Sequence, residues 1–182
     1  MADQRVEVVD HDPAWAGRFT EQRTVVEELL KRWLSGPVEH IGSTAVPDLR
    51  AKPVIDMLAP VRSLAEARGA ALPVLADAGW VFWPQDPCGH YRLWLLRPRP
   101  EARTHHLQVM AGEDPHVRAL LAFRDALRGD AGLRREYASL KEQLSEQHRE
   151  SRNAYTNAKA AFVGQVLRRA GIVPPERGLL PE

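Results

Sequence analysis

Apolar residues early in the chain recur at helical spacing. Trp15, Phe19, Val26, Leu29, Leu30 and Trp33 share one face. Asp12-Pro13 opens this stretch, with a carboxylate able to cap free amides and a proline suited to a first turn, and Ser35-Gly36-Pro37 closes it. The spacing predicts a helix from about Pro13 to about Leu34, after a short extended run at Val6, Val8 and Val9. The period then shortens. Val38 to Ser43 and Pro53 to Val61 read as strands joined by a loop from Thr44 to Lys52, and the second strand wraps its apolar residues around one carboxylate, Asp56.

Ser63-Leu64-Ala65-Glu66 has capping-box spacing and opens a helix toward Gly79 that Pro73 must kink or split. Trp80 to Trp83, Tyr91 to Arg97 and His105 to Met110 read as three further strands. From Asp114-Pro115 onward the pattern is helical: about Pro115 to Arg128, Asp130 to Gln147 and Ser151 to Ala170, with Gly129 and Gly171 as stops. The pattern predicts one α/β (α+β) domain over residues 1–182. It divides into a sheet-containing core at about 5–112, C-terminal helices at 113–170 and a proline-rich extended tail at 171–182.

Composition narrows the class. The chain has 182 residues, 44% of them hydrophobic and 27% charged, with a formal net charge of +1. These values suit a globular protein and give no basic footprint for nucleic acid. Cys88 is the single cysteine, so no intrachain disulfide forms. Met1 to Asp10 lacks an apolar signal core and no run is long enough to span a bilayer, which places the expected location in the cytoplasm, away from membranes. Oligomeric state is not legible at this level.

Several residues carry candidate chemistry. An ionised carboxylate within Val54-Ile55-Asp56-Met57-Leu58 is costly to bury, so Asp56 needs solvent, a metal or hydrogen-bond donors; a structural ion pair or strand-end cap meets the same need. Gly42 permits close approach of a ligand to the backbone, Ser43 and Thr44 can donate to phosphate oxygens, and Lys52 can neutralise them; an ordinary turn with a solvated lysine looks the same. His40 and His106 with Asp56 could supply nitrogen and oxygen ligands to a transition metal, while histidines beside a turn also serve as plain hydrogen-bonding groups. In the helical region Arg124 is a further cation, and Tyr137 and Tyr155 each precede a lysine by four residues, Lys141 and Lys159, so each pair could stack on a base and contact phosphate. Such lysines also occur as solvated surface. The aromatic and basic mixture at Tyr91, Arg92, Trp94, Arg97, Arg99 and Arg103 reads as core aromatics alternating with edge arginines.

The run His40-Ile41-Gly42-Ser43-Thr44-Ala45-Val46-Pro47 followed by Ala51-Lys52-Pro53-Val54-Ile55-Asp56 resembles the signature of the GrpB family. Asp12-Pro13-Ala14-Trp15, Thr104-His105-His106-Leu107, Phe123-Arg124-Asp125 with Leu127-Arg128, and Tyr155-Thr156-Asn157-Ala158-Lys159 extend the resemblance over about residues 5–170. It implies a nucleotidyltransferase-like mixed β-sheet flanked by helices, with a C-terminal helical region. It also implies a nucleotide or CoA-like ligand, since a domain of this kind is fused to dephospho-CoA kinase in some bacteria.

By that resemblance the Gly-Ser turn holds phosphates and Asp56 is the catalytic carboxylate, bound to a divalent metal: magnesium or manganese, with zinc as the alternative where histidines join. Gly42, Ser43, Thr44, Lys52, Arg124, Lys141, Tyr155 and Lys159 are the expected nucleotide-binding residues, and Asp56, His40 and His106 the expected metal ligands. The sequence departs from the wider superfamily at Leu58, where a second acid is usual, and from the family's His-Leu-His pattern at Gln108. Two functions follow: transfer of a nucleotidyl group from a nucleoside triphosphate to a small molecule or protein, or a non-catalytic nucleotide- or CoA-binding module that has lost the second acid. A metal-dependent hydrolase using the histidines is a third.

Overall fold

Trp15, Phe19, Val26 and Leu30 form one buried stripe along helix α1, Ala14–Leu30, and press it onto a sheet. The computed structural model describes residues 8–148, 151–176 and 180, so Val6 of the expected opening run lies outside the described residues. Val9 makes an antiparallel bridge to Ala51. The helix ends at Leu30 rather than Leu34: Trp33 and Leu34 still donate to the Leu30 carbonyl in a closing turn, after which Leu34 bridges Val61 and Ser35 donates to the Pro60 carbonyl.

Five strands make the sheet: β1 Glu39–Ile41, β2 Ile55–Val61, β3 Val81–Phe82, β4 Arg92–Arg97 and β5 His105–Ala111, in spatial order β1-β2-β5-β4-β3. β2 and β5 run parallel and the other neighbours antiparallel. Every expected strand is present: β1 to β4 are shortened at one or both ends, and β5 runs one residue further than expected. Between β2 and β3 the chain forms α2, Leu64–Glu66, then a π-helical turn over Ala67–Ala71, then α3, Leu72–Asp77. Ser63 caps α2 through its side chain, as its spacing predicts. Pro73 has no N–H to donate and falls in the first turn of α3, and the widened turn before it takes up the mismatch.

The two sheet faces are covered differently. On one, Ile55, Met57, Ala59, Leu93, Leu95, Leu107 and Val109 pack against α1 and the α2–α3 segment. On the other, Ile41, Leu58 and Met110 pack with Cys88, Tyr91 and Val117, the last from α4, Pro115–Gly129. A third cluster joins Val46 and Leu49, in the loop after β1, to Leu127 of α4 and Tyr137 of α5, Ala131–Gln147. The C-terminal helices are thereby anchored to the loop that carries the Gly-Ser turn.

The last expected helix is two, α6 Arg152–Ala158 and α7 Ala160–Arg169, jointed at Lys159. Of the tail, residues 171–176 and Leu180 are described. The Glu176 carbonyl lies 3.1 Å from His116 Nε2, and the backbone of Leu180 is held by the side-chain amide of Asn157. No helix among the described residues is long and apolar enough to cross a membrane.

Candidate functional site

Ile41 pairs with Asp56 where β1 meets β2, and the chain must leave β1 immediately above that carboxylate. Gly42 makes this possible. Its φ of 71° and ψ of −172° belong to a region open essentially to glycine, and a Cβ there would lie 2.5 Å from Asp56 Oδ2 and 3.0 Å from Asp56 Cβ. Ser43–Ala45 then forms one 3₁₀ turn. The expected juxtaposition of the Gly-Ser turn and Asp56 at adjacent strand ends is present.

Asp56 pairs with His106 in the parallel register, and Asp56 Oδ1 lies 2.8 Å from His106 Nδ1. His106 is buried, whereas the Asp56 side chain keeps 29% of its exposure. The alternation of β5 turns His106 toward Asp56 and sends His105 to the opposite face, against Trp80. His105 is held near a pKa of about 4 by burial, reinforced by Arg97, His106 and Arg18.

His40 does not join them. It pairs with Met57, one register step from Asp56, so its ring points to the other face and stacks on Phe19 of α1 at 4.5 Å between centroids. There Thr44 Oγ1 donates to the Val54 carbonyl at 3.2 Å and so accepts from His40 Nε2 at 3.0 Å. Burial, with Arg128, Arg124 and His105 opposing the pull of Asp56, lowers the His40 pKa to about 4 and keeps the ring neutral. The expected ligand set of Asp56, His40 and His106 is therefore corrected: strand alternation separates His40 from the other two. Thr44, also buried, spends its hydroxyl holding the turn to β2.

The helical region contributes selectively. Lys141 of α5 is buried, with Nζ 3.4 Å from Ser43 Oγ, 5.0 Å from the Tyr137 ring centroid and hydrogen-bonded to the Arg50 carbonyl. Burial, with Arg50 adding to it against Glu142, lowers its pKa to about 8. Arg124 is committed elsewhere: it donates to Glu39 Oε2 at 2.6 Å, to the His40 carbonyl at 3.0 Å and to Asp125 Oδ1 at 2.8 Å, tying α4 to β1. Lys52 lies partly buried in the connection to β2. Tyr155 is buried, its hydroxyl pushed up to about 12, and Lys159 Nζ lies 4.1 Å over its ring, a pairing local to the α6–α7 joint.

Two arginines outside the expected site set also reach this region. Arg128 of α4 donates from Nε to the Ala45 carbonyl at 2.8 Å, closing the 3₁₀ turn from the helix side. Its signal was the step of one helical turn from Arg124. Arg92 forms a two-pronged pair with Asp86 at 2.6 and 2.9 Å and donates to Gln108 Oε1 at 2.9 Å.

The donor set decides what metal could fit. Leu58, two residues beyond Asp56 on the same face, has no exposure and belongs to the apolar cluster with Ile41, Met110 and Val117. Gln108, on the same face of β5, has its oxygen occupied by Arg92. Among the described residues no group of three or more His, Cys, Asp or Glu side chains gathers. A two-magnesium or zinc centre built from the described side chains alone does not fit. One carboxylate suits a single magnesium-type ion whose other ligands are phosphate oxygens and water.

A family profile described as GrpB protein matches residues 5–169. The chain belongs to the GrpB family. UPF0157 protein PA4798 of Pseudomonas aeruginosa is 36% identical over 92% of this chain and 69% of its own length. The crystal structure of conserved protein GrpB from Enterococcus faecalis superposes with a TM-score of 0.79 at 31% identity, covering 90% of this chain and 96% of that one. The structure of Cid1 in complex with its short product ApU matches at a TM-score of 0.52 and 11% identity, over 82% of this chain and 48% of Cid1. That likeness concerns the fold alone: the two chains share the arrangement of a mixed sheet with flanking helices. A dephospho-CoA kinase of Mycolicibacterium paratuberculosis is 28% identical over 93% of this chain and 47% of its own length.

Proposed function

We propose that this GrpB protein binds the phosphate chain of a nucleotide at the Gly42–Ser43 turn, together with one divalent ion that the nucleotide brings, and holds it without transferring a nucleotidyl group. The observation that carries the reading is the convergence of three unlike groups on one glycine turn. They are the carboxylate of Asp56 against Gly42, the hydroxyl of Ser43, and the buried ammonium of Lys141 3.4 Å from that hydroxyl. Backbone amides, a hydroxyl and a desolvated cation are the donors that recognise phosphate.

Asp56 alone would repel a polyanion. A magnesium or manganese ion shared between Asp56 and the phosphates turns that repulsion into a bridge. The same argument separates binding from transfer. Two-metal catalysis uses the second ion to activate the acceptor and steady the leaving oxygen, and the position for its carboxylate is the buried Leu58. The kinase relative is named for dephospho-CoA, which contains an adenine nucleotide, and this supports including CoA-like molecules in the ligand class.

Calorimetric titration with ATP, ADP, CoA and dephospho-CoA, each with manganese, tests the binding. At least one should bind with a dissociation constant in the micromolar range, and no heat with any of them would end the reading. Incubation with α-labelled nucleoside triphosphates should leave no label on protein or small-molecule acceptors. Labelled adducts appearing over many turnovers would make the protein a transferase instead.

A further inference from the structure

We infer that Trp94 is the platform on which the base of the bound nucleotide stacks, with Gln108 contacting the ring edge; this rests on the phosphate reading above. Across β2, β5 and β4, Asp56 pairs with His106, His106 with Leu96, and Gln108 with Trp94. Paired residues share a face and so do residues two apart, so Asp56, His106, Gln108 and Trp94 form one row on the site's face of the sheet. His106 is buried, while Asp56, Gln108 and Trp94 keep partial exposure. The row is partly open to solvent and leads away from the carboxylate.

Trp94 has close polar and aromatic neighbours. The Arg92 guanidinium lies 5.2 Å from the Trp94 ring centroid, and its charge is compensated by Asp86, whose side chain is 2% exposed. The edge of His106 meets Trp94 at 5.3 Å between centroids, with the rings 72° apart. Guanidinium only donates, so its bond to Gln108 Oε1 turns the Gln108 amide NH₂ the other way, as a donor for an acceptor atom on a ring edge. A paired arginine, an indole face and an amide donor suit an uncharged heteroaromatic ring better than a phosphate. Arg103, 5.9 Å over the same indole, is the contact that a stacking base exchanges for its own.

The spacing agrees. Two strand intervals, roughly 10 Å, separate the strand of Asp56 from that of Trp94, a span that a nucleoside covers with its phosphates at the Gly42–Ser43 turn. The platform therefore assigns an orientation, with phosphates over β1 and β2 and the base over β4. Discrimination between nucleotides and plain polyphosphate would arise at Trp94.

The test titrates the full chain with ATP and with inorganic tripolyphosphate, each with manganese, for the wild type, Trp94→Phe and Trp94→Ala. Wild type should prefer ATP. Trp94→Ala should lose about fivefold in ATP affinity, at the low end for base–aromatic stacking, and keep its affinity for tripolyphosphate, which also reports that the variant is folded. Trp94→Phe should keep most of the ATP preference. Gln108→Leu, which leaves the indole in place, should lower the preference by about threefold, the size of one hydrogen bond. Unchanged ATP preference in Trp94→Ala, or in Gln108→Leu if the alanine variant does not fold, overturns the platform while leaving the phosphate reading intact. A wild type that binds neither probe overturns both.

Discussion

Gly42→Ala should unfold at a temperature roughly 5–15 °C below wild type, corresponding to about 2–4 kcal/mol. Two costs combine. Alanine resists a φ of 71° with an extended ψ, and its methyl group would lie 2.5 Å from Asp56 Oδ2. Swinging the carboxylate aside gives no relief, because Asp56 Cβ lies 3.0 Å away and Cγ 3.1 Å. The strand would have to part from the turn, and β1 with it. Gly17→Ala provides the contrast: Gly17 is helical and exposed, nothing lies within 4 Å of its Cβ position, and alanine there should stabilise by about 0.5–1 kcal/mol. Thermal denaturation of the two variants side by side checks both signs. A Gly42→Ala protein melting with the wild type would mean that the close approach of turn and carboxylate is not required by the fold.

Lys141→Met should separate binding from stability. Removing the ammonium leaves the Arg50 carbonyl short of a donor but relieves a buried charge, so stability at neutral pH should stay within about 1 kcal/mol of wild type. ATP affinity should fall by about thirtyfold, close to 2 kcal/mol, the scale of a charged hydrogen bond to phosphate.

The lowered pKa supplies a second signature. Lys141 has a pKa of about 8 when folded and an ordinary value of 10.5, so between those values the unfolded chain binds the proton more tightly and stability rises with pH. The wild type should gain on Lys141→Met by up to about 3 kcal/mol across that window. Tyr155 works in the opposite sense above about pH 10, since its folded pKa is pushed up to about 12 and the folded chain keeps the proton. The comparison is therefore cleanest between pH 8 and 10. Over the same interval wild-type ATP affinity should decline as Lys141 loses its charge, while that of the variant stays flat. A variant that binds ATP like wild type would remove Lys141 from the site.

Much of this arrangement was legible in the sequence because it is local. The apolar run around Asp56 gives β2, the glycine before Ser43 gives the turn, and since alternation on β5 puts His105 and His106 on opposite faces, the family's His-Leu-His spacing points to His106. His40 misled for a related reason. Its nearness to Gly42 is a fact of the chain, but its face relative to Asp56 depends on the pairing of Ile41 with Asp56, which only the assembled sheet fixes. Arg124 looked like a ligand cation and proves to be a tie from α4 to Glu39 and the His40 carbonyl, since partners far apart in sequence leave no local pattern. Lys141 and Ser43 are both expected at a nucleotide, but no local pattern sets them against each other. Trp94 read as one more core aromatic because its value lies in its neighbours, Gln108 across the strand and His106 on the diagonal.

The central claim is that Asp56 meets a nucleotide through a metal. Its most direct test is ATP affinity measured with manganese and with chelator, for wild type and Asp56→Asn, on preparations whose melting temperatures are also recorded. An amide can keep a hydrogen bond to His106 and removes the charge, so the variant should fold. Wild type should bind ATP about tenfold or more tightly with manganese than without, at least roughly 1.4 kcal/mol, and Asp56→Asn should lose that metal dependence. An Asp56→Asn protein that melts far below wild type, but whose folded fraction binds ATP with the full manganese enhancement, would make the Asp56–His106 pair a structural bond and contradict the account.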